Sequence, residues 1–157
     1  MTDDADIVIR PFHANDVHEL IALCEEHARF EGCRYDRGGK ARRLPDSIEA
    51  GFVYCLVVEC SGKVDGYAMW SFEFSTWDAR HYLHMDCLFL RESLRGNGVG
   101  TRIMEVIRNA ARQAGCVEVQ WQTPADNSDA IGFYRRIGAR EKSKVRFYLE
   151  ASAGEAS

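Results

Sequence analysis

Apolar residues recur along this chain with two periods, and the change between them separates predicted helices from predicted strands. A spacing of three or four residues predicts helices over residues 17–30, 99–114 and 129–137. Gly115 and Gly138 follow the last two helices, where glycine commonly ends a helix. Asp16, with Glu19 three residues later, is typical of a capping box and predicts the start of the first helix.

Strand-like segments occupy much of the remaining chain. Residues 52–60 and 66–74 are rich in β-branched and aromatic residues and flank a Ser-Gly-Lys turn, which predicts a hairpin. The segment 32–44 is rich in glycine and cationic residues and is predicted to be a loop, with a helical turn at 46–50. Further strands are predicted at residues 7–9, 81–90, 117–123 and 145–149.

The order of these elements indicates the fold class. Antiparallel hairpins come first and a β-α-β unit follows, with no internal repeat and no linker. We therefore expect one mixed α+β domain over residues 1–150, with a central, mostly antiparallel twisted sheet, one parallel β-α-β unit and flanking helices. The small, polar residues 151–157 are predicted to be a disordered tail.

Composition narrows the class of protein. The 157 residues carry a formal charge of −4, which argues against nucleic acid as a partner because phosphate binding needs clustered cations. The six cysteines form no C-x-x-C pair and no zinc-type spacing, so we expect reduced thiols and no metal. Neither a signal peptide nor an apolar run of about 20 residues is found, so we expect a cytoplasmic protein without a membrane partner.

The strongest local signal is the glycine-rich segment Arg95-Gly96-Asn97-Gly98-Val99-Gly100, between a predicted strand and an amphipathic helix. Backbone amides at a helix N-terminus favour an anion, and a phosphate or pyrophosphate is the natural ligand. A P-loop is excluded because no Lys follows Gly100, and a dinucleotide fingerprint because Ile103 stands where its last glycine should be. The alternative is a glycine turn that only joins strand to helix.

A second motif follows one helix and one strand later. Residues 127–139 read N-x-x-A-x-x-F-Y-x-x-x-G-A, and the glycine segment reads R-x-x-G-x-G. Together these motifs resemble the GNAT superfamily of acyl-CoA N-acetyltransferases, and the resemblance extends over residues 7–149. It implies a GNAT-type domain and acetyl-CoA as co-substrate.

The resemblance also implies roles for individual residues. Backbone groups of Leu88, Phe89 and Leu90 would bind the pantetheine arm and polarise the acetyl carbonyl, and Asn127 would bind pantetheine or the adjacent backbone. Tyr134 would protonate the departing thiolate, its alternative role being that of a core aromatic. The pyrophosphate would be held, mostly by backbone N–H groups, by Arg95, Gly96, Asn97, Gly98, Val99 and Gly100.

An amine nucleophile must lose a proton before it attacks, because an alkyl ammonium has a pKa of about 10.4. Asp86 and His84, two apart on a predicted strand, share one of its faces. Families within the superfamily place their base at these positions, so Asp86 is the leading candidate, directly or through water, and His84 the second. The alternatives are a carboxylate paired with a surface Arg and a satisfied strand histidine.

Residues 66–77 resemble the G-F-A-x-x-x-F-x-x-x-x-W run of the spermidine/spermine and thialysine acetyltransferases, and residues 23–31 resemble their first helix. The resemblance suggests that Glu26, Glu31 and Asp36 line a cation site and that Trp77 contacts the substrate. The chain departs from this branch at Asp86-Cys87, where the branch has two acidic residues, and in its basic last strand. The amine therefore stays open between a polyamine, an amino acid and an aminoglycoside-like compound.

The expected function is acetylation of a small-molecule primary amine by direct attack in a ternary complex. Two alternatives remain open: acetylation of a protein N-terminus or lysine, and a non-catalytic acyl-CoA-binding sensor. The resemblance also suggests a homodimer.

Overall fold

The computed structural model describes residues 6–152, which fall into two compact units that divide after Pro124. The predicted tail therefore lies outside the described residues, apart from a bend at 151–152. The second unit contains the helix α4 (Ser128–Arg136). The elements of the first unit are β1 (Ile7–Pro11), α1 (Val17–Phe30), α2 (Lys40–Glu49), β2 (Tyr54–Cys60), β3 (Lys63–Ser75), β4 (Arg80–Leu90), α3 (Val99–Gln113) and β5 (Val119–Gln120).

The sheet has the order β1-β2-β3-β4-β5. Its first four strands pair antiparallel with their neighbours, and β4 pairs parallel with β5. This parallel pair is joined through α3, so the predicted mixed α+β class with one β-α-β unit is confirmed. No helix within residues 6–152 is both long and apolar enough to span a bilayer.

Side chains alternate between the two faces of the sheet along each strand, and both faces carry buried residues. On one face, residues of β2, β3 and β4 form a core with Leu20 and Leu23 of α1. These strand residues are Cys55, Val57, Val64, Tyr67, Met69 and Phe89. On the opposite face, Leu56, Val58 and Ala68 are also buried.

A β-bulge interrupts β4 at Asp86. Met69 of β3 faces Cys87, whereas the next residue, Trp70, faces Met85, so Asp86 is an extra residue without a partner on β3. Cys87 packs on the α1 core, whereas Met85, two residues earlier, shares the opposite face with Trp70. The bulge therefore reverses the alternation of side chains along β4. Asp86 therefore lies where the regular strand geometry breaks.

Several boundaries differ from those predicted. Helix α2 begins at Lys40 inside the predicted loop, after Gly39 adopts a left-handed conformation with φ of 69°. Strand β5 has two residues, not seven, because it pairs with β4 only at Leu83 and His84, before the bulge. The strand predicted at 145–149 is wrong: these residues have no regular structure and no ladder partner within the described residues.

The predicted capping box is also wrong. The Asp16 carboxylate does not cap α1; it accepts hydrogen bonds from Arg10 Nη1 and Nη2, at 2.8 and 2.9 Å, and from the His13 N–H at 2.8 Å. Arg10 Nε donates to Glu59 on β2 at 2.9 Å. This ion-pair cluster ties β1, β2 and the start of α1 together. The Arg10 guanidinium lowers the pKa of the Asp16 carboxyl.

We expect Asp16→Asn to lower the free energy of unfolding by about 2 kcal/mol at pH 7, because the side chain is 9% exposed and loses a bidentate charged partner. A carboxyl pKa lowered by folding stabilises the protein above its unfolded value of about 3.9, and this contribution disappears as the pH falls through the folded value. The difference between wild type and variant in urea unfolding should therefore begin to shrink as the pH falls below about 4 and should disappear only below the lowered pKa of the folded state.

Asp46→Asn is the matched control. Asp46 pairs with Arg42 at 3.7 Å on the surface of α2, with its side chain 66% exposed. Its loss should change the free energy of unfolding by less than about 0.5 kcal/mol. Equal effects of the two substitutions would contradict the role given to Asp16.

Candidate active site

The bulge brings the two candidate bases together. The Asp86 side chain is 67% exposed, and its Oδ1 lies 3.8 Å from His84 Nε2 on the same face of β4. An exposed carboxylate on this face can accept a proton from a bound ammonium. The His84 imidazole beside it can donate a hydrogen bond when it is charged, and it can accept one at a ring nitrogen when it is neutral.

A partly buried polar cluster, which we call the thiol–tyrosine cluster, lies beneath Asp86 and consists of Cys24, Tyr67, Cys87 and His27. Cys87 Sγ lies 3.5 Å from Asp86 Oδ2. The Tyr67 hydroxyl lies 2.8 Å from His27 Nδ1, and Cys24 and Cys87 pack against the same core as the Tyr67 side chain. Sequence analysis did not identify this cluster, because a strand Tyr and two Cys within apolar runs have the pattern of ordinary core residues.

Two members of the thiol–tyrosine cluster, Cys87 and Tyr67, are held in their neutral forms by burial. Burial raises the pKa of the Cys87 thiol and of the Tyr67 hydroxyl far above their ordinary values. His27 Nε2 lies 3.1 Å from Glu31 Oε1, so a proton on Nε2 lets His27 donate to Glu31 and accept from Tyr67 at Nδ1. The cluster thus contacts Asp86 through the Cys87 thiol, and His27 connects Tyr67 to the Glu31 carboxylate.

The glycine segment has the geometry of an anion cradle. Gly96 and Gly98 have φ of 77° and 75°, and Gly98 is the N-cap of α3. A Cβ at either position would meet no heavy atom within 4 Å, so the space above both glycines is open. The first amides of a helix have no intrahelical acceptor, so the start of α3 fits a pyrophosphate.

The side chains of this loop turn back onto the protein. Arg95 Nε donates to the Leu90 carbonyl at 2.8 Å, and its guanidinium lies over the rings of Phe30 and Phe89. Asn97 Nδ2 donates to the Ser93 carbonyl at 3.4 Å. Arg95 therefore ties the glycine segment to the end of β4, and direct contact of its side chain with a pyrophosphate stays a prediction.

The last residues of β4 leave backbone groups for a ligand. Pairing with β5 stops at His84, so within the described residues the β5-side edge of Cys87–Leu90 has no strand partner. An unpaired strand edge can bind an extended amide-containing chain such as pantetheine. The Phe89 side chain is buried and stacks on His27 with ring centroids 5.1 Å apart, which fixes this end of β4 against α1.

The residues predicted to bind substrate have different environments. Arg91 holds the Glu26 carboxylate with two hydrogen bonds of 3.0 and 2.7 Å and lowers its pKa, and Arg91 also binds Asp65 at 2.7 Å. Glu31 contacts His27. Trp77 lies between β3 and β4 and is 97% exposed. Glu26 and Glu31 therefore each have a partner within the protein.

The second unit carries the remaining predicted residues. Asn127 is the N-cap of α4, and its Oδ1 accepts a hydrogen bond from the Ala130 N–H at 3.4 Å. Tyr134 is half-buried beside Phe133, with ring centroids 5.2 Å apart. Their roles toward acetyl-CoA stay predictions. Among the described residues, no group of three or more His, Cys, Asp and Glu could hold a metal ion.

Known proteins resemble this chain over most of its length. The sequence model of the Acetyltransferase (GNAT) family matches residues 15–139. A thialysine N-epsilon-acetyltransferase of Mus musculus is 25% identical over 151 residues, covering 90% of this chain and 88% of the relative.

Solved structures share the fold. An aminoglycoside acetyltransferase from an uncultured soil metagenomic sample, in complex with trehalose, superimposes with a TM-score of 0.81 at 17% identity, covering 95% of this chain and 99% of its own. Aminoglycoside N-acetyltransferase AAC(6')-Iy in complex with CoA superimposes with a TM-score of 0.78 at 16% identity. The match covers 93% of this chain and 95% of that structure's chain.

We expect Gly98→Ala to weaken CoA binding at least tenfold, measured by isothermal titration calorimetry. The new methyl group would enter the open space above the start of α3, and the left-handed backbone would be strained by about 1–2 kcal/mol. Gly62→Ala is the control, because Gly62 has φ of 79° and equally open surroundings in the β2–β3 turn. Both variants should lose similar stability, and equal CoA affinities would contradict the cradle.

Proposed function

This chain belongs to the acetyltransferase (GNAT) family and is an acetyl-CoA-dependent N-acyltransferase, and on that basis we propose that it acetylates the primary amine of a small molecule. The observation that carries the proposal is the exposed Asp86 carboxylate, placed by a bulge on the strand that leads into the glycine segment. The relative from Mus musculus is named for thialysine, which is a small amine.

The proposed reaction begins with removal of a proton from the amine. Only about 0.1% of an alkyl ammonium of pKa about 10.4 is neutral near pH 7.4, so a base raises the reactive fraction. Asp86 accepts this proton, directly or through water, with His84 beside it. The amine nitrogen then attacks the thioester carbonyl carbon.

The same step needs stabilisation of the oxyanion and protonation of the leaving group. A backbone N–H within residues 88–90 donates to the carbonyl oxygen as negative charge develops there. The C–N bond forms, the C–S bond breaks, and Tyr134 gives its hydroxyl proton to the CoA thiolate. Asn127 and the glycine segment bind the pantetheine arm and the pyrophosphate.

The state of the nearby thiols supports direct attack in a ternary complex. Cys87 adjoins Asp86, but burial and the Asp86 charge raise the pKa of its thiol, so the nucleophilic thiolate is scarce. An acetyl-Cys87 intermediate is therefore disfavoured. Homodimer formation and a cytoplasmic location stay predictions.

The test of the function is release of CoA thiol from acetyl-CoA across a panel of polyamines, thialysine, amino acids, aminoglycosides and a peptide. We expect turnover with at least one small amine and little with the peptide. Turnover with the peptide alone would favour the protein acetyltransferase. CoA binding without turnover on any amine would favour the sensor.

Two substitutions should separate the proton acceptor from the proton donor. Asp86→Asn should lower kcat/KM for the amine at least tenfold near pH 7, and the loss should shrink at high pH as free amine becomes abundant. Tyr134→Phe should lower kcat about tenfold while the KM for acetyl-CoA changes less than about twofold.

Glu105→Gln and Tyr148→Phe are the controls for this pair. Glu105 pairs with Arg108 on the exposed surface of α3, and Tyr148 is 82% exposed. Neither should change turnover. An unchanged pH–rate profile in Asp86→Asn would remove Asp86 as the base, and equal loss of kcat and acetyl-CoA affinity in Tyr134→Phe would remove Tyr134 as the acid.

A further inference from the structure

His27 on α1 contacts three side chains at once, and the proposed reaction uses none of these contacts. Its side chain is 15% exposed. The Nδ1 atom lies 2.8 Å from the Tyr67 hydroxyl, and the Nε2 atom lies 3.1 Å from Glu31 Oε1. The imidazole ring stacks on Phe89, with ring centroids 5.1 Å apart and an interplanar angle of 18°. His27 is therefore held at both ring nitrogens and on a ring face.

The two hydrogen bonds determine the orientation of the imidazole. The buried Tyr67 hydroxyl donates to Nδ1, and the Nε2–H donates to Glu31, one turn further along α1. The Tyr67 ring also meets the imidazole edge-on, with ring centroids 6.0 Å apart. Rotation of the imidazole away from Phe89 would therefore break both hydrogen bonds.

The Phe89 ring also contacts the glycine segment. The Arg95 guanidinium lies 5.5 Å from the centroid of Phe89 and 4.9 Å from that of Phe30 on α1. These are cation–π distances, and Arg95 Nε also donates to the Leu90 carbonyl at 2.8 Å. The Phe89 side chain therefore links His27 on α1 to the first residue of the glycine segment.

The Phe89 backbone belongs to the strand end that binds pantetheine in the proposed reaction. It pairs with Tyr67 of β3 on one side, and its β5-side edge has no strand partner within the described residues. A binding edge that is ordered before the ligand arrives binds more tightly than one that must be ordered on binding. The contacts that hold the Phe89 side chain should therefore affect the affinity for CoA.

Resting on the proposed function, we propose that His27 is a positioning residue for the acetyl-CoA side of the site. Its ring acts through Phe89: it holds the pantetheine-binding end of β4 against α1 and keeps the Phe89 ring beside Arg95. Glu31, which the resemblance places in a substrate cation site, instead orients His27. Substitutions of both residues should therefore change the binding of CoA.

The test is isothermal titration of the full chain with CoA. His27→Asn removes the ring and should weaken CoA binding about fivefold. His27→Phe keeps a flat ring against Phe89 and should bind CoA within about twofold of the wild type. Both variants should unfold at lower urea concentrations, His27→Phe because the buried Tyr67 hydroxyl loses its acceptor. CoA affinity should therefore follow the presence of the ring and not the stability.

His18→Asn is the matched control, because His18 lies on the same helix and is exposed. It should change neither the affinity for CoA nor the urea midpoint. Unchanged CoA affinity in His27→Asn would overturn the inference. Equal weakening in His27→Asn and His27→Phe would also overturn it, because that result would show a role in stability alone.

Substitutions of Glu31 separate its role toward His27 from a role in a substrate cation site. Glu31→Leu removes the acceptor of the His27 Nε2–H and should weaken CoA binding about twofold to threefold. Glu31→Gln keeps an acceptor oxygen and should bind CoA as the wild type does. Unchanged CoA affinity in Glu31→Leu would contradict the inference and favour the substrate cation site.

Failure of the proposed function gives a different result. A wild-type protein that does not bind CoA would contradict the proposed function and, with it, this inference. CoA binding without turnover on any amine would contradict only the catalytic role. In that case, the CoA affinities of the His27 and Glu31 variants still decide whether His27 positions the strand end.

Discussion

One extra residue in β4 determines where the chemistry of the first unit can lie. In a regular strand Met85, Cys87 and Phe89 would share a face, and one set of helix contacts would bury all three. The bulge at Asp86 instead sends Cys87 and Phe89 to the α1 side and leaves Met85 on the other. It also coincides with the end of pairing between β4 and β5.

The thiol–tyrosine cluster explains how such an irregular strand is kept in place. A buried hydroxyl without a partner is costly, and the Tyr67 hydroxyl beneath the bulge has one, because it lies 2.8 Å from His27 Nδ1. His27 also stacks on Phe89, over which Arg95 lies. One packed set of side chains therefore connects the candidate base to the glycine segment.

Local sequence signals predicted α1, α3 and α4 closely and missed the start of α2, and pairing across the sheet decided the rest. The spacing of apolar residues predicted α1 with its observed bounds, because a helix face is set by residues three and four apart. The bulge at Asp86 depends on which β3 residue lies opposite, and the ion pair of Asp16 depends on Arg10 in β1. Neither leaves a local pattern, so the capping signal at Asp16 was misleading.

The resemblance to the spermidine/spermine and thialysine branch predicted that acidic side chains line the substrate site. In the structure, two of these side chains, Glu26 and Glu31, already have partners within the protein. A carboxylate held by a guanidinium, as Glu26 is by Arg91, can bind a second cation only by weakening the first ion pair. Since a fold supports many substrates and side chains at the site choose among them, the partners of Glu26 and Glu31 weigh more than the shared motif.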